Sequence, residues 1–122
     1  MITLLHCRVW IAMVQDDDVR VPFGKAHENA REIVENHDAL KLLTACLETH
    51  QSDTKTLEYC LAAIRALAVR NEYCQEVVDE GGLTHVRSMM VTFPQEQELI
   101  TRCLQVIKVT AAAVMPMLVM TI

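Results

Sequence analysis

The stretch NEYCQEVVDEGGLTHVRSMM, Asn71 to Met90, constrains the fold of this chain more than any other feature. It predicts two short helices joined by a sharp corner at Gly81-Gly82, because adjacent glycines adopt positive φ without a steric penalty. Each helix carries an apolar stripe at helical spacing: Cys74, Val77 and Val78 on the first, and Leu83, Val86 and Met90 on the second. Neither short helix can bury its stripe alone, so both need a third helix and a neighbouring copy of the unit.

The chain contains such a copy. The segment ENAREIV at Glu28–Val34 matches EYCQEVV at Glu72–Val78 with an offset of 44 residues. After the corner the offset is 43, and the matches are Leu40 with Leu83, Leu43 with Val86, Leu47 with Met90, and Leu57-x-x-Cys60-Leu61-x-x-Ile64 with Ile100-x-x-Cys103-Leu104-x-x-Ile107. A period in the forties with three helices per unit is typical of armadillo and HEAT-type solenoids. We therefore predict an all-α, armadillo-like right-handed helical solenoid of about two and a third three-helix repeats.

The repeat pattern divides the chain into five segments. Residues 1–15 are predicted to be the third helix of a preceding repeat, residues 16–25 an inserted acidic loop, residues 26–70 and 71–113 two armadillo-like repeats, and residues 114–122 an apolar C-terminal tail. Helices are expected over residues 26–35, 40–49, 54–70 and 95–113, with Asp53 as an N-cap and Pro94 in the first turn of the last helix. The tail is short for a bilayer span of about 20 residues, so we expect it to pack on the last helix or to fray.

Two of these segments have an alternative interpretation. Residues 1–15 could be the apolar region of a signal peptide, but no basic segment precedes them and no small-residue cleavage site follows. The three aspartates Asp16, Asp17 and Asp18 could bind Ca²⁺, but the EF-hand spacing with its glycine and terminal glutamate is missing. A solvated acidic turn is the preferred interpretation of the aspartates.

Charge and cysteine content narrow the classes of partner and compartment. The net charge is −5 and no dense basic stripe occurs, which argues against non-specific nucleic-acid binding. The 5 cysteines are odd in number and form no CxxC pattern, and there is no N-glycosylation sequon. We expect a reducing, intracellular setting, in the cytoplasm, the nucleus or both, with neither nucleic acid nor membrane as a partner.

The chain lacks sequence motifs for catalysis or for a cofactor. No phosphate loop, GxSxG, HExxH or zinc-finger spacing occurs. Cys46 and His50 are four residues apart on one helix and could offer two metal ligands, whereas the cysteines at 60, 74 and 103 fall on inward stripes, where a thiol acts as a small hydrophobe. The histidines at 6, 27, 37, 50 and 85 have no nucleophile or carboxylate partner at a recognisable spacing. We therefore expect no enzymatic activity, no cofactor, no metal site and no catalytic residue.

The run VRNEYCQEVVDEGGL, residues 69–83, and the later QELITRCLQVIKV resemble an armadillo repeat, and the resemblance covers residues 16–113. It implies a stacked helical solenoid that binds other proteins and has no enzymatic activity. Peptide-binding members of the family often carry a Trp on the third helix and, four residues later, an Asn that holds the backbone of an extended ligand. The Trp position falls on Ala62 and Gln105 here, and the Asn position falls on Ala66 and Val109. The usual recognition of a nuclear-localisation signal is therefore not expected.

The resemblance also suggests where a partner would bind. In an armadillo stack the third helices line a concave groove, and Arg65 and Lys108 hold equivalent positions 43 residues apart on these helices. The predicted partner-binding groove consists of Glu58, Arg65, Thr101, Gln105 and Lys108. Two cations one repeat apart suit an acidic peptide segment. The alternative is that Arg65 and Lys108 are two unrelated solvated charges.

The predicted function is that of a non-enzymatic protein-interaction scaffold, which binds a partner segment along the concave groove. The alternative is a structural helical subunit that assembles with a larger complex through its apolar end faces. Solenoids usually need about three units with polar caps, so we also expect either a fragment or isoform of a longer solenoid, or self-association through open ends. An enzyme is a third possibility, but no constellation of polar residues supports it.

Overall fold

The computed structural model describes residues 4–14, 25–50 and 52–121, with side chains described for residues 5–14, 26–50 and 52–112. Within these ranges the chain forms seven helices and no strand: α1 Leu4–Met13, α2 Lys25–His37, α3 Ala39–Thr49, α4 Thr54–Leu67, α5 Asn71–Asp79, α6 Gly82–Thr92 and α7 Gln97–Thr121. The prediction of an all-α chain is confirmed. The predicted acidic loop lies outside the described residues, except that Lys25 begins α2.

Helices α1, α4 and α7 form a row in which α4 packs against both α1 and α7. We call α2, α3 and α4 the first unit, and α5, α6 and α7 the second unit. The two units meet where α3 packs on α5 and α6, and where α4 packs on α7. This order is the one expected when like helices of successive repeats stack side by side. The division into two repeats and a preceding third helix stays a prediction.

Each unit turns between its first two helices at one residue with positive φ. Gly81 has φ 83° and Asp38, which lies 43 residues earlier, has φ 51°. Asp tolerates this left-handed conformation better than most residues, so the two corners are equivalent despite their different sequences. Gly82 is needed for a different reason: a Cβ there would lie 2.6 Å from Val77 Cγ1 and 2.8 Å from the Val77 carbonyl oxygen.

One predicted cap agrees with the structure, whereas several helix ends differ from the prediction. The expected N-cap at Asp53 is confirmed, since its carboxylate accepts from the Thr56 amide. Helix α4 ends at Leu67 rather than at Arg70, because Arg70 is extended and serves as the N-cap of α5. Pro94 lies in a turn before α7 rather than in its first turn, because the Glu96 amide donates to the Phe93 carbonyl and delays the helix.

The last helix also runs on past residue 113, where we expected it to end. It continues through Pro116 to Thr121. A proline inside a helix removes one backbone hydrogen bond and normally kinks or breaks the helix. The run of Ala, Leu and Met around Pro116 consists largely of strong helix formers, which offsets part of that loss.

The core is centred on α4. Its apolar stripe, spaced three and four residues apart, is buried along its whole length: Leu57, Cys60, Leu61, Ile64 and Leu67. The C-cap residue Ala68 is buried too. The apolar residues of α2 at the same spacing, Ala30, Ile33 and Val34, are buried as well. A helix packed on both sides needs this wide apolar face, so sequence periodicity identified its core residues correctly.

The second unit has a narrower buried face than predicted. Leu104, the counterpart of Leu61, is 51% exposed, whereas Leu61 is 0% exposed. Ile100 and Ile107 are only half-buried, and α7 buries Leu99, Cys103, Val106 and Thr110 instead. The reason is that α7 has α4 on one side and, among the described residues, no further row of helices on the other. On α6 the predicted stripe was wrong at its last position, because Met89 is buried and Met90 is only half-buried.

Candidate partner-binding groove

Helices α1, α4 and α7 line a cavity of about 730 Å³ on one side of the row. Its floor is apolar and receives small or branched side chains from all three elements: Ile11, Val14, Ala62, Ala66 and Val109. Ala62 and Ala66 lie four residues apart and therefore on one face of α4. Both side chains are small, which leaves the floor open.

Charged residues of both signs form the rim of the groove: Lys55, Glu58, Arg65, Glu98 and Arg102. Lys55 and Glu58 form an ion pair with Nζ and Oε2 3.7 Å apart, and their side chains are 76% and 17% exposed. Arg102 donates from Nη1 to Gln105 Oε1 at 3.2 Å. In the described part of the chain, Arg65 and Glu98 have neither an ion pair nor a hydrogen bond from their side chains.

Two of the five predicted groove residues, Glu58 and Arg65, line the cavity. The other three lie on α7 and outside the lining. The Thr101 hydroxyl donates back to the Gln97 carbonyl at 2.9 Å, Gln105 accepts from Arg102, and Lys108 is exposed. The structure therefore does not bring Arg65 and Lys108 together as a ladder within this cavity. Whether any of the five contacts a partner stays a prediction.

The α7 wall of the cavity comes instead from Glu98, Arg102 and Val109. Sequence reasoning missed the first two, although the repeat offset contained the signal. Glu98 is the counterpart of Lys55, and Arg102 is the counterpart of Tyr59, and all four line the cavity. The counterparts Lys55 and Glu98 have opposite charges, so this rim presents mixed charge rather than a row of cations.

Three cysteine side chains form a cluster in the core. Cys60 Sγ is 2.9 Å from Cys46 Sγ and 3.8 Å from Cys7 Sγ, so thiols from α1, α3 and α4 meet in the core. The hydrogen bonds that Cys60 forms with Cys46 and Cys7, together with burial, raise the pKa of Cys60. A raised pKa keeps the thiol neutral near pH 7, where it packs as a small hydrophobe.

The other cysteines are buried as well. Burial raises the pKa of Cys103 to about 11. Cys46 Sγ contacts Cys60 Sγ, and His50, the other candidate ligand on α3, is half-buried. Among the side chains that the structure describes, no group of three or more His, Cys, Asp and Glu residues is arranged to hold a metal ion.

None of the helices, as far as their residues are described, has the length and apolar character to cross a membrane.

Three curated proteins are similar to this chain. Armadillo repeat-containing protein 6 of Homo sapiens is 40% identical over 84 residues, which cover 69% of this chain and 17% of the relative. The Pongo abelii protein of the same name is 34% identical over 113 residues, covering 86% of this chain and 23% of the relative. The Drosophila melanogaster homolog is 37% identical over 99 residues, covering 81% and 21%.

The matched region is a minor part of each relative, since the chain spans about a fifth of their length. No protein-family model matches the chain, and no solved structure does. The predicted armadillo resemblance is nevertheless confirmed by these relatives, and the all-helical architecture is the one an armadillo-like solenoid requires. By sequence and by fold, this chain is an armadillo-repeat chain, similar over most of its length to a part of armadillo repeat-containing protein 6.

Proposed function

We propose that this chain is a non-enzymatic protein-interaction scaffold that binds a partner segment in the groove between α1, α4 and α7. The observation that carries the proposal is the cavity of about 730 Å³, with an apolar floor and a charged rim. Binding sites are typically concave and mostly apolar, with a few polar groups that fix orientation. Armadillo repeats are protein-interaction modules, and the relatives named above carry them.

The chemistry of the lining favours binding over catalysis. Among the described residues, the cavity lining contains no His, Cys, Ser or Thr. Without these residues, the described lining lacks the usual nucleophile–base pairs of covalent catalysis. We propose accordingly that the chain has no catalytic site and needs no cofactor.

The unpaired guanidinium of Arg65 is the charged group of the groove most available to a partner. Lys55 is already paired with Glu58 and Arg102 with Gln105, whereas Arg65 has no partner among the described residues. We propose that an acidic side chain of the partner pairs with Arg65, since guanidinium and carboxylate bind in a bidentate fashion. Thr101, Gln105 and Lys108 would then contact the partner where it leaves the cavity along the exposed side of α7.

A charge reversal with a matched control tests this proposal. Peptides of random sequence would be displayed against the chain, and the enriched peptides measured by fluorescence anisotropy. Arg65→Glu should weaken the binding of acidic peptides by about tenfold or more. Arg87→Glu, on the exposed face of α6 and outside the groove, should leave binding unchanged. Equal affinities for wild type and Arg65→Glu would contradict a role for Arg65.

A second candidate function rests on apolar residues that are exposed on α1, α6 and α7. Leu5 on α1 is 68% exposed, Val91 on α6 is 75% exposed and Leu104 on α7 is 51% exposed. Exposed apolar patches often mark protein interfaces. The chain would then be a helical subunit that joins a larger assembly, or a second copy of itself, through these faces.

We also propose an intracellular site of action, in the cytoplasm or the nucleus. The support is that all five cysteines are free thiols, which reducing compartments maintain. Cell fractionation with an antibody against the chain would test the compartment directly, and recovery in the secreted medium would contradict it.

A further inference from the structure

We propose that the groove accepts an α-helical, amphipathic segment of its partner rather than an extended one, with an acidic residue of that helix facing Arg65. This inference rests on the proposed function, namely that the groove binds a partner segment. It adds the conformation of the ligand, its direction of approach and the spacing of its charges.

The first argument comes from the backbone of the ligand. Every residue of an extended segment, except proline, presents an N–H and a C=O that need partners when buried. Apart from Tyr59 and the charged rim, the described lining offers no side chain that can hydrogen-bond a ligand backbone, and the Ala66 and Val109 side chains are apolar. A helix bonds its own N–H and C=O groups internally, so it can enter an apolar groove without leaving them unpaired.

The second argument comes from the shape of the floor. Ala62 and Ala66 place two methyl groups at the centre of the groove, between Ile11 and Val14 on one side and Val109 on the other. Helices approach each other closely where the contact residues are small, and axes then lie about 8 Å apart. The larger apolar side chains of an amphipathic helix, spaced three and four residues apart, would fill the space above these alanines.

The third argument comes from the length of the groove. The lining residues of α4 extend from Lys55 to Ala66, and Ala68 and Val69 continue the lining just past the end of the helix. At 1.5 Å per residue the stretch from Lys55 to Ala66 measures about 17 Å, which is close to three helical turns. A ligand helix lying along α4 would therefore use about 12 residues, enough for about three apolar anchors on one face, and a peptide of about 16 residues spans it.

Two unpaired charges of the groove predict how charged residues are arranged along the ligand helix. Arg65 lies in the last turn of α4 and Glu98 in the first turn of α7, and neither has a partner among the described side chains. Glu98 is the counterpart of Lys55, so it marks the opposite end of the groove from Arg65. Ten residues separate Lys55 from Arg65, a distance of about 15 Å along a helix. The ligand helix should carry an acidic residue facing Arg65 and a basic residue facing Glu98, about ten positions apart on one face.

A display experiment with matched peptides tests the inference. Random peptides of about 16 residues, long enough to span the groove, would be enriched on the full chain, and each winner would be remade in two forms. One form has proline at its centre, which breaks a helix, and the other has a hydrocarbon staple on the solvent side, which stabilises one. We expect proline to weaken binding by about tenfold or more, and the staple to strengthen it.

Two variants of the chain locate the site. Ala62→Trp fills the floor and should abolish binding, whereas Ala45→Trp, at an exposed alanine of α3, should not. Far-UV circular dichroism and thermal melting of both variants would confirm that each is folded. An Arg65→Lys variant, which keeps the charge but loses the planar fork, should retain only part of the affinity for acidic helices that Arg65→Glu loses.

The outcomes separate this inference from the function beneath it. Peptides that tolerate proline yet lose affinity on Ala62→Trp would show an extended ligand in the groove, which overturns the inference and leaves the proposed function intact. Winners that are all indifferent to Ala62→Trp, or the absence of any winner, would remove the groove as a binding site and both proposals with it.

Discussion

The phenol of Tyr73 on α5 donates a hydrogen bond to the Glu35 carboxylate on α2, with the two oxygens 2.5 Å apart. The bond joins the first helix of one unit to the first helix of the next. It holds the pKa of Glu35 below its usual range, with help from the nearby cations Arg31 and Arg70. On the other side of the bond, burial and then Glu35 raise the pKa of Tyr73 to about 12.

This bond should make stability depend on pH in acid. The pKa of Glu35 is lower in the folded chain than its ordinary value of 4.5, so its contribution is present above that value and is lost as the pH falls through the folded pKa. Tyr73→Phe removes the main cause of the shift. We expect the variant to unfold at lower urea near about pH 6, and to lose less further stability than wild type near about pH 3.

The matched control is Tyr59→Phe, because the described structure gives the Tyr59 hydroxyl no hydrogen bond. That variant should show the pH dependence of wild type. Parallel pH profiles for Tyr73→Phe and wild type would mean that the bond does not act on Glu35 in solution.

Replacing either corner glycine with alanine should destabilise the chain, for a different reason at each position. Gly82→Ala places a Cβ against the Val77 backbone, where the helix cannot give way, and should cost about 2 kcal/mol. Gly81→Ala has open space around its Cβ and suffers only from the positive φ, which costs about 1 kcal/mol. Urea unfolding followed by circular dichroism gives both values. A Gly82→Ala variant as stable as wild type would contradict the close approach.

The buried thiol at Cys60 should resist alkylation. It is 0% exposed and hydrogen bonding to Cys46 and Cys7 raises its pKa, so little thiolate forms and reagents cannot reach it. Iodoacetamide should modify Cys60 at least about tenfold more slowly in the folded chain than in urea. A cysteine introduced by Ser52→Cys, at an exposed position, should react at the rate of a free thiol and serves as the control. Equal rates at both positions would show that the core is open.

Substitution of Leu61 should lower the stability of the fold, whereas substitution of Leu104 should change self-association. Leu61→Ala creates a cavity in the core and should cost about 3 kcal/mol, with no effect on association. Leu104→Glu leaves the fold intact because the side chain is half exposed, but it should suppress any self-association through the outer face of α7. Light scattering coupled to size-exclusion chromatography measures the mass. An unchanged oligomer in Leu104→Glu would exclude this face as the interface.

Periodicity identified the core where a helix is covered on both sides, as at Cys60 and Ile64, because the inward face is then set by the helix's own sequence. It failed at Leu104, since burial there depends on what packs beyond α7 rather than on the helix itself. The corner at Asp38 is explained by residue chemistry, because Asp tolerates the positive φ found there. The α7 wall of the groove did not, because it depends on how α7 lies against α4, and only the repeat counterparts of Lys55 and Tyr59 point to Glu98 and Arg102.

The most direct test of the groove is a methyl spectrum of the chain, labelled at alanine and valine, during titration with an enriched peptide. Binding in the groove should shift the methyl signals of Ala62, Ala66 and Val109 and leave that of Val91, exposed on α6 and outside the groove, unchanged. Shifts at Val91 with none at Ala62 or Ala66 would contradict the groove and place the interface on the exposed end of the solenoid.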